Sequence, residues 1–276
     1  MGAIARGVKR RGAKVLLLLP TGVALTWGVL EPLQAVVPGL VTIPIVGGIF
    51  AAAVVIALIS VRDLSQIEIE WDQLNTYVTI KVGDLMEHPG PIVVSFDDLF
   101  LTEHEKLVNS QSIVGQLVEK KFGGDASALA AALEAKLALV AAEDVVLDGK
   151  QRKRYPVGTA VSHATAPRFH GVAFCHIDEV QVVGDATSEH LWAGLEGTWR
   201  ALHNHRFSLP VGVPLLGAGQ TALGLNPTAH LNVMLVSLMA SVRQRPIVDP
   251  VVIYLHESIK DQVDLRAIQA TWASVA

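Results

Sequence analysis

The chain has 276 residues, enough for one or two domains, with 51% hydrophobic and only 17% charged residues. A mean hydropathy of +0.42 excludes a disordered chain and points to a membrane. The net charge of −4 gives no footing for nucleic acid, and the single cysteine, Cys175, excludes an internal disulfide or a multi-cysteine zinc site.

The charge is uneven along the chain. Arg6, Lys9, Arg10, Arg11 and Lys14 all precede the first acidic residue, Glu31, so residues 1–14 form a basic arm. Two apolar runs follow, Val15 to Leu30 and Val41 to Val61, and residues 15–63 read as two transmembrane helices. At 1.5 Å per residue the second run spans about 31 Å, matching a hydrocarbon core of about 30 Å. The first run is shorter and carries Pro20, so it either extends past Glu31 or only dips into the bilayer. A signal peptide is the competing reading, weakened by the second full-length run that follows at once. The positive-inside rule keeps the arm cytoplasmic, and Arg62 returns the chain to the same side. The expectation is a multi-pass membrane protein with a cytoplasmic domain over residues 64–276. Gly47, Gly48, Ala51 and Ala52 provide small-residue spacing for helix association in lipid, although such residues are also common in any membrane helix.

Beyond Asp63, Gln66 to Glu70 and Tyr77 to Val82 alternate as strands, and Pro91 to Phe96 is a buried strand ending in Asp97 and Asp98. Helices are predicted over Ser112 to Phe122 and, capped by Asp125, over Ala126 to Ala142. Strands follow at Val157 to Val161 and Phe169 to Ile177, then a helix over Thr187 to Asn204. A strand, a glycine loop and a helix running to about Val242 come next, then a strand over Val251 to Leu255 and a closing helix from Asp261. This order predicts a three-layer α/β/α sandwich around a mixed sheet.

The stretch from Val211 to Leu223 reads as strand, glycine loop and helix. Gly217 and Gly219 let backbone N–H groups close on an anion, and a helix starting near Gln220 adds its positive dipole end. An ordinary strand-to-helix turn uses glycine equally well. Gly217 to Ala222 fit the G-x-G-x-x-A pattern, but the fingerprint also needs an acid at the end of the next strand and further βαβ units, whereas that strand ends in His256-Glu257 and only one helix remains. A Walker loop fails for want of a lysine after the glycines. His203 and His205 do not face one site on a helix, which argues against a metal. Asp97 and Asp98 point apart on a strand, which disfavours an acid/base pair and favours a strand-end turn or a polar ligand contact.

Gly83-Asp84-Leu85 after a strand, the loop Asn109 to Gly115, Tyr155-Pro156-Val157-Gly158-Thr159 and Val213 to Gly219 together resemble a macro domain, the ADP-ribose-binding module. With two membrane segments in front, the chain more closely resembles the membrane-anchored macro-domain effectors of type II Thoeris antiphage defence. The resemblance implies that Asp84 accepts from the adenine amino group and that Leu85 donates its backbone N–H. It implies that Gln111, Ser112, Ile113, Val114 and Gly115 form the first phosphate loop. Gly217, Ala218, Gly219, Gln220, Thr221, Ala222 and Leu223 then wrap the diphosphate and distal ribose. Asp97 or Asp98 is left to contact an amino-bearing distal group.

Hydrolytic macro domains carry an asparagine-rich segment where this chain has Ser95 to Phe100. The resemblance therefore implies a sensor without catalytic residues, cofactor or metal. Its expected ligand is an ADP-ribose derivative, histidine-ADP-ribose, made by a TIR-domain partner. Binding is expected to drive homo-oligomerisation and disruption of the lipid bilayer, leading to cell death or arrest. The rival expectations are a membrane-anchored ADP-ribosyl hydrolase and a simple ADP-ribose-binding module.

Overall fold

The computed structural model describes residues 64–71, 74, 76–204, 207–218, 224–247 and 249–273, together with scattered positions in the first 63, of which Ala24, Gly28, Gly48 and Val55 are helical. The chain divides into two units, Met1–Ser65 and Gln66–Ala276. The two apolar runs lie almost wholly outside the described residues. Among the described residues, no helix is long and apolar enough to cross a membrane.

In the second unit the strands are β1 (Gln66–Trp71), β2 (Thr76–Val82), β3 (Ile92–Asp97), β4 (Glu143–Leu147), β5 (Lys150–Arg154), β6 (Ala160–His163), β7 (Phe169–Asp178), β8 (Val183–Asp185), β9 (Val211–Pro214) and β10 (Val251–Leu255). The helices are α1 (Ile113–Lys121), α2 (Ala126–Leu137), α3 (Ser188–Asn204), α4 (Pro227–Gln244) and α5 (Leu265–Ala273). The main sheet runs β1-β2-β10-β9-β3-β7-β6, with β8 on the far end of β7. Its five central strands, β2, β10, β9, β3 and β7, are parallel, and β1 and β6 close the edges antiparallel. The mixed three-layer sheet predicted from the sequence is the one observed.

Alternation along the strands decides which layer each side chain enters. Ile92, Val94 and Phe96 of β3, with Phe169 and Ala173 of β7, pack against Leu117 and Val118 of α1 and Leu129, Leu133 and Leu137 of α2. The other helices form a linked layer. Trp199 of α3 donates its indole N–H to Ser237 of α4 at 2.9 Å, and Trp272 of α5 donates to Asn232 of α4 at 2.9 Å while its ring meets Trp71 of β1. Two buried indoles thus find acceptors on one helix, which satisfies their polar ends inside an apolar layer.

Several boundaries differ from the sequence reading. Helix α2 stops at Leu137 instead of running to Ala142, because the chain turns there, with Val140 N–H on the Leu137 carbonyl, and enters β4 at Glu143. The closing helix is split. Glu257–Gln262 is a 3-10 turn capped by His256, and α5 begins only at Leu265, with Asp264 accepting from the N–H of Arg266. The strand expected at Val157 starts at Ala160, because Pro156 to Thr159 make a turn. The β4–β5 hairpin was not expected at all, although Asp148-Gly149, both at positive φ, is its turn.

Leu117 is fully buried between α1 and the sheet. Leu117→Ala is expected to lower the unfolding free energy by about 2–5 kcal/mol, read as a shifted denaturation midpoint at unchanged slope.

Candidate functional site

The sheet has one place where strand order reverses. From β3 the chain crosses to β7 on one side, and from β9 it crosses through α4 to β10 on the other. In open α/β sheets ligands bind outside the carboxyl ends of the strands at such a switch point. Here β3 and β9 share a single register pair, Ile92 with Gly212, whereas β3 pairs with β7 along its whole length. No ladder pairing joins β3 and β9 towards their carboxyl ends, where the segments that follow β2, β3, β9 and β10 emerge.

On the β2 side, Asp84 caps the turn Leu85–Glu87, accepting from Met86 N–H through Oδ1 at 2.8 Å, and its Oδ2 pairs with Lys120 Nζ at 2.5 Å. Burial raises the Asp84 carboxyl. The hydrogen bonds from Lys120 and Met86, with the charges of Lys120 and His256, outweigh it and hold the group below its ordinary value. The Asp84 carboxylate is therefore already shared with a lysine. The cation lies in the last turn of α1, where the helix dipole favours it. Leu85, the proposed backbone donor, is buried in the core.

Gln111 to Gly115 form the entry to α1. Asn109 Oδ1 accepts from the N–H of Gln111 and Ser112 at 2.9 and 3.0 Å, and Ser112 caps the helix by accepting from Gly115 N–H at 3.0 Å. A Cβ on Gly115 would stand 2.0 Å from the Asn109 carbonyl oxygen, so only glycine lets the loop fold this closely over the helix start. Ile113 and Val114 are the first residues of the helix, with Val114 packed inward.

After β9 the chain turns through Leu215 to Ala218, with Gly217 at φ +74°. A Cβ there would meet Leu191 of α3 at 2.9 Å and Nε2 of His230 at 3.1 Å. Burial pushes the His230 imidazole down, against a hydrogen bond with the Leu216 backbone. Gly219 to Leu223 lie outside the described residues. Beyond them, Gly224 is again at positive φ, and α4 starts at Pro227 under an Asn226 cap. The expected helix start near Gln220 lies outside the described residues.

Asp97 and Asp98 do point apart. Asp97 Oδ1 accepts from the N–H of Leu99 and Leu101 at 2.9 and 3.1 Å, so this oxygen serves the strand-end turn. Desolvation raises its carboxyl to about 6, opposed by those hydrogen bonds and assisted by the neighbouring Asp98 charge. Asp98 turns to β7, where it meets His176 and Ile177, and it pairs with Arg154 at the end of β5. The Tyr155 to Thr159 segment lies alongside, with Tyr155 N–H on the Asp98 carbonyl and Gly158 N–H on that of Ala173. Lys120, Arg154 and His176 were not singled out from the sequence. Their partners are 36, 56 and 78 positions away, and no local spacing reports such contacts.

This three-layer domain has the macro-domain fold. Two variants of the Oceanobacillus iheyensis macrodomain superpose with TM-scores of 0.51 and 0.53 at 12% and 11% identity, covering 77% and 76% of this chain and 97% and 95% of theirs. Residues 78–256 match the family described as Thoeris protein ThsA, Macro domain, and the chain belongs to that family. No curated protein matches it.

The raised Asp97 carboxyl has a definite sign in stability. The native state binds a proton up to about pH 6 and the unfolded chain only to about 3.8, so stability falls as pH rises through that window. Asp97→Asn retains an acceptor oxygen for Leu99 and Leu101 and removes the buried charge. It is expected to gain about 1–3 kcal/mol at pH 7.5 and to flatten the pH dependence of the denaturation midpoint between about pH 4 and 6.

Proposed function

We propose that the domain is the sensor of an antiphage effector that binds an ADP-ribose-type nucleotide made by a TIR-domain partner. The observation that carries this reading is the switch point itself, where the β3–β9 ladder stops at Ile92 and Gly212, a glycine turn follows β9 and a carboxylate, Asp84, follows β2. Backbone N–H groups at a glycine turn suit a diphosphate, and a carboxylate suits the adenine amino group. Within that class, histidine-ADP-ribose is the expected ligand.

Signal binding favours an assembled form of the chain, and the two apolar N-terminal runs then damage the inner membrane. A ligand shifts such an equilibrium only by its differential affinity for the two states, so the cleft must differ between the single and the assembled chain. The reading assigns no catalytic residue. Its support is the Ser95 to Phe100 segment, which has no asparagine to hold a water against the distal ribose.

Calorimetric titration of the full chain in detergent with ADP-ribose and with its histidine conjugate tests the sensor. Both are expected to bind, the conjugate more tightly, with no turnover by chromatography. Asp84→Asn is expected to weaken both by about tenfold, because it removes a charge-assisted acceptor while leaving the Met86 cap. Absence of binding by either nucleotide would overturn the reading, and turnover of the conjugate would favour a hydrolase. Replacing Gly47 and Gly48 by leucine is expected to abolish signal-dependent killing in cells; undiminished killing would overturn the role of close helix packing.

A further inference from the structure

The nucleotide site proposed above lies at the carboxyl ends of the strands. A separate cavity of about 350 Å³ lies at the other end of the sheet, where β3 and β7 begin. It is lined by the turn that leads into β3, the segment that leads into β7 and the last turns of α1. Its size is at the small end of the range for small-molecule sites.

The charge in this cavity is all of one sign. Lys121, the last residue of α1, and Arg168, directly before β7, both line it, and no carboxylate does among the described residues. Lys120, one position earlier, is spent on Asp84, whereas Lys121 and Arg168 have no ion pair or side-chain hydrogen bond to a described residue. Lys121 is half-buried and Arg168 exposed, so both ammonium and guanidinium stand near the mouth. The rest of the wall is apolar. Pro89, Ala166 and Pro167 are accessible, backed by the buried Ile92 and Leu117.

The two segments that shape the cavity are held by the backbone. Ile92 N–H donates to the Arg168 carbonyl at 3.3 Å, next to the register pair of Ile92 with Phe169, which ties the entry of β7 to that of β3. A Cβ on Gly90 would stand 2.3 Å from the Pro210 carbonyl oxygen, so glycine lets the turn before β3 close on the segment before β9. His88 fastens the same turn, its Nε2 donating to Pro210 at 2.8 Å and its Nδ1 accepting from the Tyr254 hydroxyl at 3.1 Å. Burial pushes this imidazole down; the bond to Pro210 opposes the shift, and the charges of Lys121 and Lys81 add to it. The histidine is therefore a neutral fastener and supplies no counter-charge to the two cations.

Two like charges on one preformed hollow favour an anion, and a guanidinium fork suits a carboxylate or phosphate in particular. The proline and alanine surface beside them favours an apolar body on the same guest. We infer that this cavity binds a small amphipathic anion, an aryl or alkyl carboxylate or phosphate monoester, whose charged end meets Arg168 and Lys121 and whose apolar end lies on Pro89, Ala166 and Pro167. The site is separate from the switch point and stands or falls without the nucleotide reading.

The test is a titration of the full chain in detergent with p-fluorophenyl phosphate, followed by fluorine NMR with and without excess ADP-ribose. A saturable shift is expected in both, and none with detergent micelles alone. Neutral p-fluorophenol and, in competition, inorganic phosphate are each expected to bind at least about tenfold more weakly. Arg168→Gln and Lys121→Gln are each expected to weaken the aryl phosphate by about tenfold at an unchanged denaturation midpoint. No saturable shift, or one unaltered in both variants, overturns the site. Equal binding of p-fluorophenol overturns its choice of an anion, and equal binding of inorganic phosphate overturns the apolar half. Displacement of the probe by ADP-ribose places it at the switch point and overturns the second site while the nucleotide reading survives. If ADP-ribose does not bind at all, the nucleotide reading fails alone and the two variants still decide the cavity.

Discussion

β3 and β9 are neighbours in the sheet, yet only Ile92 and Gly212 are in register between them, and the rest of the site depends on that loss of pairing. A parallel sheet normally zips along the length of its strands, which would leave no room at their ends. Here the pairing stops after that pair, as β3 leads on to α1 and α2 and β9 leads on to α4. The last residues of each strand then end in turns that satisfy their own backbone groups. Asp97 does this at the end of β3, Gly217 allows it after β9, and Asp84 does it after β2.

The three aspartates at these strand ends have different electrostatic situations. Asp84 has a lysine, which helps hold its carboxyl below the ordinary value. Asp97 has only backbone donors, and its desolvation is left uncompensated. Asp98 is the most deeply placed, and it alone is met by a guanidinium, an imidazole and a backbone N–H. A buried carboxylate of this kind costs several kcal/mol unless paired, so the hairpin strand β5 that supplies Arg154 is part of what lets Asp98 exist. The hairpin is thereby tied to the functional edge of the domain although it lies outside the main sheet.

Much of the fold was legible because its signals are local. The alternation in Gln66 to Trp71, the continuous apolar runs of the central strands, the caps at Ser112 and Asp125 and the helix over Ser188–Asn204 are all written within a few residues of where they act. The split of β9 from β3 was not, because strand order is a property of crossovers. The β4–β5 hairpin was legible but passed over: its polar strands lack an apolar face, and only Asp148-Gly149 marks it. The candidate site was read through its glycines and Asp84. Lys120, Arg154 and His176 reach it from distant elements, and a charge whose partner is remote in sequence reads as an ordinary surface residue.

The position of the glycine turn also bears on how occupancy of the cleft reaches the rest of the domain. Gly217 rests against Leu191 at the start of α3 and against His230 in the first turns of α4, both buried. These two helices are joined further along by the Trp199 to Ser237 hydrogen bond, and α4 is joined to α5 through Asn232 and Trp272. Close-packed interiors resist continuous deformation, so a displacement of the turn is taken up by shifts of whole helices. The turn after β9 is thus backed by the one helical layer whose members are bonded to each other through buried side chains. A ligand that holds this turn in one of two positions acts on α3, α4 and α5 as a unit, and those helices offer exposed apolar side chains at Trp192 and Val236. A displacement of the turn therefore passes into that layer rather than into α1 and α2, whose apolar sides are consumed by the sheet.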